Sequence, residues 1–188
     1  MQASFYSRLL WLILERFTMD DLTGRRILLD ATGLKEGRIL DIGMGDCGCM
    51  SFFLARRGFN VIGIDHSPNA VHGSRESAKR SKFKGSFGAR LADAEDLPFK
   101  DGEFDAVSSY HSMHHLNDAR KAIKEMFRVC KTSGFVLVAD LNEEGRKKYD
   151  HEIDNGKFLK RVELYLDRCA ASMRKVETKY TTLFICKK

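Results

Sequence analysis

The sequence predicts an α/β fold: a doubly wound, mainly parallel seven-stranded sheet that ends in an antiparallel hairpin and is preceded by N-terminal helices. Three observations carry this. From Gly37 onward, short apolar runs alternate with helical stretches, the rhythm of strands and crossover helices. A glycine-rich segment, Gly43 to Gly48, joins the first of these strands to the first of these helices. The last two strand-like runs leave no room for a helix between them, so one must run antiparallel to the rest. At 188 residues, with 43% hydrophobic and 31% charged side chains, the chain suits one folded domain and not a disordered one.

Residues 4–17 (SFYSRLLWLILERF) are apolar and long enough for a first helix. Asp20 and Asp21 open a second, with apolar spacing at Leu22, Ile27 and Leu28. Gly33 and Gly37 bracket the turn that follows. Residues 1–33 thus form an N-terminal helical extension, a candidate lid or dimer face through Leu9, Leu10, Trp11, Ile13 and Phe17; residues 34–188 form the main domain. Its first strand is Arg38–Ile42 (RILDI), followed by a helix at Cys49–Arg57 and a strand at Asn60–Ile64 (NVIGI). Asn69–Ser81 is a helix and Ala89–Ala92 a short strand. Phe104–Ser109 is a strand, Ala119–Val129 a helix, and Phe135–Ala139 (FVLVA) a strand. Lys157–Ala171 is a helix with a broad apolar side that includes Phe158, Val162 and Leu166. Lys175–Tyr180 alternates and Thr182–Cys186 is apolar; these are the hairpin strands. Leu141 to Gly156 leaves room for only a modest insertion.

No apolar run approaches the ~18 residues that span a bilayer. The best candidate, Leu9–Leu14, is closed by Arg8 and Glu15. No small-residue cleavage site follows it, so a cytoplasmic protein is expected. Five cysteines, with no C-x-x-C pair, read as free thiols in a reducing compartment. Cys47 and Cys49 form a C-x-C at a helix start, where thiols are acidified and sensitive to oxidation; the plainer reading is small core residues. A net charge of +6 favours anionic partners in general. Its local concentration, Arg75 to Arg90, reads as a solvated helix face and loop.

The most informative segment is Ile39–Cys49 (ILDIGMGDCGC). Gly43, Gly45 and Gly48 fit G-x-G-x-x-G between a strand and a helix, a Rossmann-like turn, and Asp65 closes the next strand where an acid meets ribose hydroxyls. Glycine lets the backbone approach a ligand closely, and a carboxylate accepts from both hydroxyls. Taken alone, this suits NAD almost as well as any other nucleoside cofactor. Asp41 shifts the balance: a carboxylate repels a pyrophosphate and welcomes a phosphate-free cofactor with a cationic amino-acid tail. Asp93, within Ala92–Phe99 (ADAEDLPF), is placed to accept from an adenine amino group.

Together, Asp41-Ile42-Gly43-Met44-Gly45, then Asp65, then Asp93–Phe99, then Phe104-Asp105 through His114-His115-Leu116 resemble the class I S-adenosylmethionine-dependent methyltransferases, in particular a small-molecule branch. The resemblance covers roughly residues 34 to 140. It implies S-adenosylmethionine as cofactor, S-adenosylhomocysteine as product, and in-line methyl transfer to a small or medium acceptor. It implies that Gly43 and Gly45 pass close to the cofactor's sugar and amino-acid portion, and that Asp41 sits by its ammonium group. Asp65 would bind the ribose hydroxyls, with His66 beside the adenine. Asp93 and the Ala94 backbone would meet the adenine amino group, and Ser109 and Tyr110 would line the methionine part. One departure is plain: the family's third glycine position holds Cys47, with Gly48 next, so the turn carries an extra residue or a shifted glycine.

Methyl transfer asks the protein for positioning and, with a weakly acidic acceptor, for a base within hydrogen-bond reach. Tyr110–His115 follows the fourth strand, at the ligand edge of an open sheet. His111, Tyr110 and His115 are the candidates for base or substrate contact. His114 and His115 are neighbours and are expected to point differently; their recurrence among look-alikes with unlike substrates also suits a structural role. No carboxylate or cysteine stands at a standard spacing to complete a metal set with His111, His114 and His115, so no metal is expected. The only prolines are Pro68 and Pro98, so no N/D-P-P-Y/F segment of the DNA and glutamine amino-methylating branches occurs. Cys130 and Cys169, in expected helices, do not suit base-carbon methylation. The main expectation is a methyltransferase acting on a small-molecule acceptor, with a homodimer possible. Three alternatives stand beside it: a non-catalytic S-adenosylmethionine-binding regulatory or scaffold protein, an RNA methyltransferase whose Arg75, Lys79, Arg80, Lys82 and Lys84 contact phosphate, and an NAD-binding oxidoreductase.

Overall fold

Alternation of side chains along the strands sets the architecture. The computed structural model describes residues 21–151, 154 and 156–188. The expected first helix, with Leu9, Trp11 and Phe17, lies outside the described residues. Seven strands form one sheet: β1 (Arg38–Ile42), β2 (Asn60–Asp65), β3 (Ser86–Leu91), β4 (Phe104–Tyr110), β5 (Cys130–Leu141), β6 (Ser172–Glu177) and β7 (Thr181–Lys187). Their order is β3-β2-β1-β4-β5-β7-β6. The first five are parallel, and β7 runs antiparallel to both β5 and β6, as the hairpin requires.

The helices are α1 (21–32 among the described residues), α2 (Cys49–Arg56), α3 (Pro68–Lys79), α4 (Ala119–Val129), α5 (Glu143–Lys148) and α6 (Lys157–Cys169). Leu40, Ile42, Val107, Val136, Val138 and Phe184 face α4 and α6, whose Ile123, Met126, Val162 and Leu166 complete one core. Their chain neighbours Ile39, Ala106, Leu137, Ala139, Leu183 and Ile185 face the other way, against Leu28 and Leu29 of α1 and Met50, Phe53 and Leu54 of α2. A sheet buried on both faces is the expected result of crossover helices on both sides. Polar caps fix where three helices begin: Ser67, Asp118 and Asn142 accept from Ala70, Lys121 and Gly145 backbone N–H groups, each worth about 1 kcal/mol. Among the described residues no helix is long and apolar enough to cross a membrane.

Four expectations need correction. β3 starts at Ser86 instead of Ala89, because an edge strand can carry polar residues on an exposed face. β6 spans Ser172–Glu177, set by pairing with β7 and not by its own alternation. Cys130 is not helical; it opens β5, beside a register shift between Phe104 and Ala106. Cys47 and Cys49 are not free thiols but pair as a disulfide, with Cα atoms 5.2 Å apart. Cys130, Cys169 and Cys186 remain free, and burial pushes the Cys130 thiol up to about 11 and the Cys186 thiol up to about 12.

Candidate active site

The carboxyl ends of β1, β2 and β4 open onto two adjoining clefts, where parallel sheets hold ligands. The turn after β1 is made by glycine. Gly43, Gly45 and Gly48 all adopt left-handed φ, +69°, +66° and +56°, which other residues reach only at a cost. The Gly43 and Met44 N–H groups donate to the Ile64 carbonyl, binding the turn to β2. Gly48 ends the turn at the start of α2, so the shifted third glycine performs the tight turn itself. A Cβ on Gly43 would lie 2.3 Å from the Ser112 Cβ, whereas one on Gly45 would meet nothing within 4 Å.

The first cleft, of about 280 Å³, lies beside this turn. Ile42, Ile64, Ala92 and Leu116 give it apolar walls; Gly43, Asp65, His66, Asp93, Ala94 and Glu95 give it polar ones, and His115 and Asn117 close one side. Asp65 is locked in place: one carboxylate oxygen accepts from the Gly45 N–H at 3.0 Å, the other from the Ser67 N–H at 2.9 Å. Each oxygen keeps a lone pair for a ligand hydroxyl. Asp93 accepts from the Glu95 N–H at 2.8 Å, which shapes its own loop. That loop is strapped to α4. Arg128 donates to the Leu97 and Phe99 carbonyls, and Glu125 accepts from the Leu97 N–H.

Asp41, Ser109 and Tyr110 sit behind this cleft and do not line it. Asp41 is fully buried and accepts from the Ser51 hydroxyl at 2.6 Å and the Ser108 hydroxyl at 2.9 Å. Burial raises its carboxyl to about 6, against the lowering effect of both hydroxyls. It ties α2 to β4. Ser109 and Ser112 share a hydroxyl bond at 2.7 Å under Gly43. The Tyr110 hydroxyl donates to the Asp21 carbonyl of α1 at 3.1 Å, with Arg25 over its ring. Arg25 also pairs with Asp21 and reaches the Cys49 carbonyl, so α1 is fastened to both β4 and the glycine turn.

The second cleft, of about 300 Å³, is lined by Asp21, His111, His114, His115, Leu141, Tyr149 and His151. His115 borders both clefts. His111 stands at φ +55°, strained for a non-glycine residue, and its Nε2 lies 2.9 Å from the Thr181 hydroxyl. Burial holds its imidazole below the ordinary histidine value. His115 is lowered too, first by burial and then by His114. His114 and His115, expected to point differently, share a 3-10 turn (Met113–His115); their ring centres are 4.0 Å apart with planes tilted by 48°, and only His115 reaches the first cleft.

Sequence reading missed the group behind His114. Asp140, fully buried at the end of β5, accepts from His114 Nδ1 at 2.6 Å and from the His114 and Leu141 backbone N–H groups. A lone acid ending an apolar strand (FVLVAD) was the available signal. Among the described residues no three histidine, cysteine or acidic side chains converge as a metal ion requires.

The profile of a family described as methyltransferase domain matches residues 40–138. The chain belongs to that family. The class I resemblance read from the glycine turn, Asp65 and Asp93 therefore holds. The ubiquinone/menaquinone biosynthesis C-methyltransferase of Citrifermentans bemidjiense is 30% identical over 121 residues, covering 63% of this chain and 52% of that protein. The chloroplastic tocopherol O-methyltransferase of Arabidopsis thaliana is 32% identical over 104 residues, covering 55% of this chain and 30% of that protein. The chain spans about half the length of the first curated relatives it matches. A solved SAM-dependent methyltransferase from Aquifex aeolicus superposes with a TM-score of 0.73 at 22% identity, covering 86% of this chain and 88% of that one. At that identity the likeness shows the fold alone.

Proposed function

We propose that the protein is an S-adenosylmethionine-dependent methyltransferase acting on a small or medium acceptor. The observation that carries this is the pairing of two clefts at the carboxyl edge of the sheet, one suited to a nucleoside cofactor and one to an acceptor, with His115 between them. The first cleft fits the cofactor's chemistry. A locked carboxylate, Asp65, has acceptor capacity left for a diol. The Asp93–Ala94 loop offers an acceptor and a backbone edge to a purine, and Ile42, Ile64, Ala92 and Leu116 offer flat apolar walls. The open space before Gly45 takes the place a side chain would fill. When bound, S-adenosylmethionine supplies a methyl group on a positively charged sulfur. The chain's own contribution is to hold and orient, and to exclude water.

Asp41, spent on Ser51 and Ser108, acts here as a brace under the turn and reaches the cofactor only through the backbone it fixes. The described part of the N-terminal extension serves as a wall of the acceptor cleft through Asp21. The RNA reading gains no support from the basic cluster. α3 runs back from the cleft, so Lys79, Arg80, Lys82 and Lys84 gather at the opposite edge of the sheet, with Lys84 over Gly58 in the turn before β2.

The test is transfer of a labelled methyl group from S-adenosylmethionine to a pool of small hydroxylated and quinone-like compounds, with bulk RNA in parallel. Label in the small-molecule fraction alone is expected, and Asp65→Ala abolishes it. Label in RNA, or cofactor binding with no transfer to any acceptor, refutes the proposal; the second outcome favours the regulatory alternative.

A further inference from the structure

The second cleft holds an unexplained group. His114 has a side chain only 8% exposed, and its Nδ1 is bonded to the fully buried Asp140. That bond fixes the tautomer with the proton on Nδ1 and leaves Nε2 as a lone-pair acceptor. Nε2 is buried and has no hydrogen-bond partner among the described residues. A buried acceptor without a donor is costly, and in a native structure it calls for an explanation such as a catalytic role.

The surroundings define what can supply the donor. The ring of His115 lies 4.0 Å away, tilted by 48°, and that of His151 stands edge-on at 4.9 Å. Tyr149 and Leu141 complete a flat-walled space of about 300 Å³, the size of a single ring with substituents. His151 follows Asp150, which holds a left-handed φ of +55°, and its backbone N–H is fixed to the Arg146 carbonyl at 2.9 Å. A ligand hydroxyl reaches the buried Nε2 only when a neighbouring ring, His115 or His151, turns aside. The titratable groups facing His114 are Asp140 of β5, His111 and His115 around its own turn, His151 and Tyr149 beyond α5, and Asp21 of α1.

We infer that His114, held by Asp140, is the base that takes the proton from the hydroxyl of a flat, ring-sized phenolic acceptor in this cleft. This rests on the methyltransferase reading for its purpose, though not for its chemistry. In the step the acceptor O–H bond breaks and an N–H bond forms at Nε2. The electron pair stays on oxygen, which becomes the nucleophile, and Asp140 balances the imidazolium until its proton passes to solvent. A hydroxyl gains most from such a base, because a neutral phenol is a poor nucleophile and its anion a good one. Asp140 is a positioning residue, acting through His114.

4-Nitrophenol tests this without any methyl donor, because its anion is coloured. The full chain is titrated with 4-nitrophenol, with and without S-adenosylhomocysteine, and the phenolate absorbance is followed against pH. The wild type is expected to make the bound phenol at least ~10-fold more acidic, the effect of a cation formed beside it. His114→Gln is expected to abolish the shift and Asp140→Asn to reduce it, while His72→Gln, exposed on α3 and away from this cleft, leaves it in place. Nitrogen-15 histidine spectra of the wild type give a second reading that needs no variant. They are expected to show His114 protonated on Nδ1, with the Nε2 resonance moving on addition of 4-nitrophenol. The inference is overturned if 4-nitrophenol does not bind, or binds with unchanged acidity, or if His114→Gln weakens binding but keeps the shift. Failure of S-adenosylhomocysteine to bind, measured separately, instead counts against the methyltransferase reading.

Discussion

Asp41 shows how a residue identified by a motif can be held by the fold's own hydroxyls, those of Ser51 and Ser108. Its carboxyl is raised from 3.8 to about 6, chiefly by burial. Below about pH 4 it is protonated both folded and unfolded. As pH rises, the unfolded chain gives up the proton first, so the folded state's relative stabilisation is lost through about pH 6. The loss is on the order of 3 kcal/mol. Asp41→Asn is expected to remove this dependence, so the difference between wild-type and variant melting points should change between about pH 4 and 6 and stay level above it. His111 and His115, both lowered, act in the opposite direction: their contribution is present above 6.5 and lost as pH falls. The two central glycines separate fold from site. Gly43→Ala drives a Cβ into Ser112 and is expected to lower the melting temperature markedly. Gly45→Ala carries only the left-handed strain, about 1–2 kcal/mol, and sets its methyl in open space beside the cleft; a folded protein with at least ~10-fold weaker cofactor affinity is expected. Gly43, Asp65 and Asp93 were legible as residues that line the first cleft because they stand at or just past strand ends. His114 was not, because its meaning depends on Asp140, which lies 26 residues along the chain and meets it only across the sheet.

Elements were legible in proportion to how far their own pattern decides them. α4 matches its expected bounds because Ala122, Ile123, Met126 and Phe127 repeat on one face between a capping Asp118 and the β5 strand. α5 was missed: Glu143–Lys148 is six residues without an apolar face, held by the Asn142 cap and a close approach of Gly145 to the Tyr180 carbonyl. β6 was displaced by three residues because its register belongs to β7. The loop from Asp93 to Phe99 is irregular yet fixed, since Arg128 and Glu125 of α4 strap it through backbone groups that no spacing rule reveals. Arg128→Ala is expected to cost about 1–2 kcal/mol, the side chain being partly exposed and its bonds charge-assisted. It should also raise hydrogen exchange at Asp96 and Leu97. Arg128→Lys should rescue it poorly, because a single ammonium cannot replace the guanidinium fork.

At the scale of the molecule, strand order does most of the functional work. Placing β1 between β2 and β4 brings the glycine turn, Asp65 and the Ser109–Ser112 bond to one edge, and placing β5 next puts Asp140 behind His114 beside the second cleft. The sheet and its hairpin were readable from alternation and strand count. The second cleft was not, because its walls come from α1, β4, β5 and the segment after α5. The central claim is that the first cleft binds a phosphate-free nucleoside sulfonium cofactor. Calorimetric titration with S-adenosylhomocysteine, and with NAD in parallel, tests it most directly. Micromolar binding of S-adenosylhomocysteine that is lost in Asp65→Ala, with no heat from NAD, is the predicted result. Binding of NAD, or of neither compound, would contradict the account.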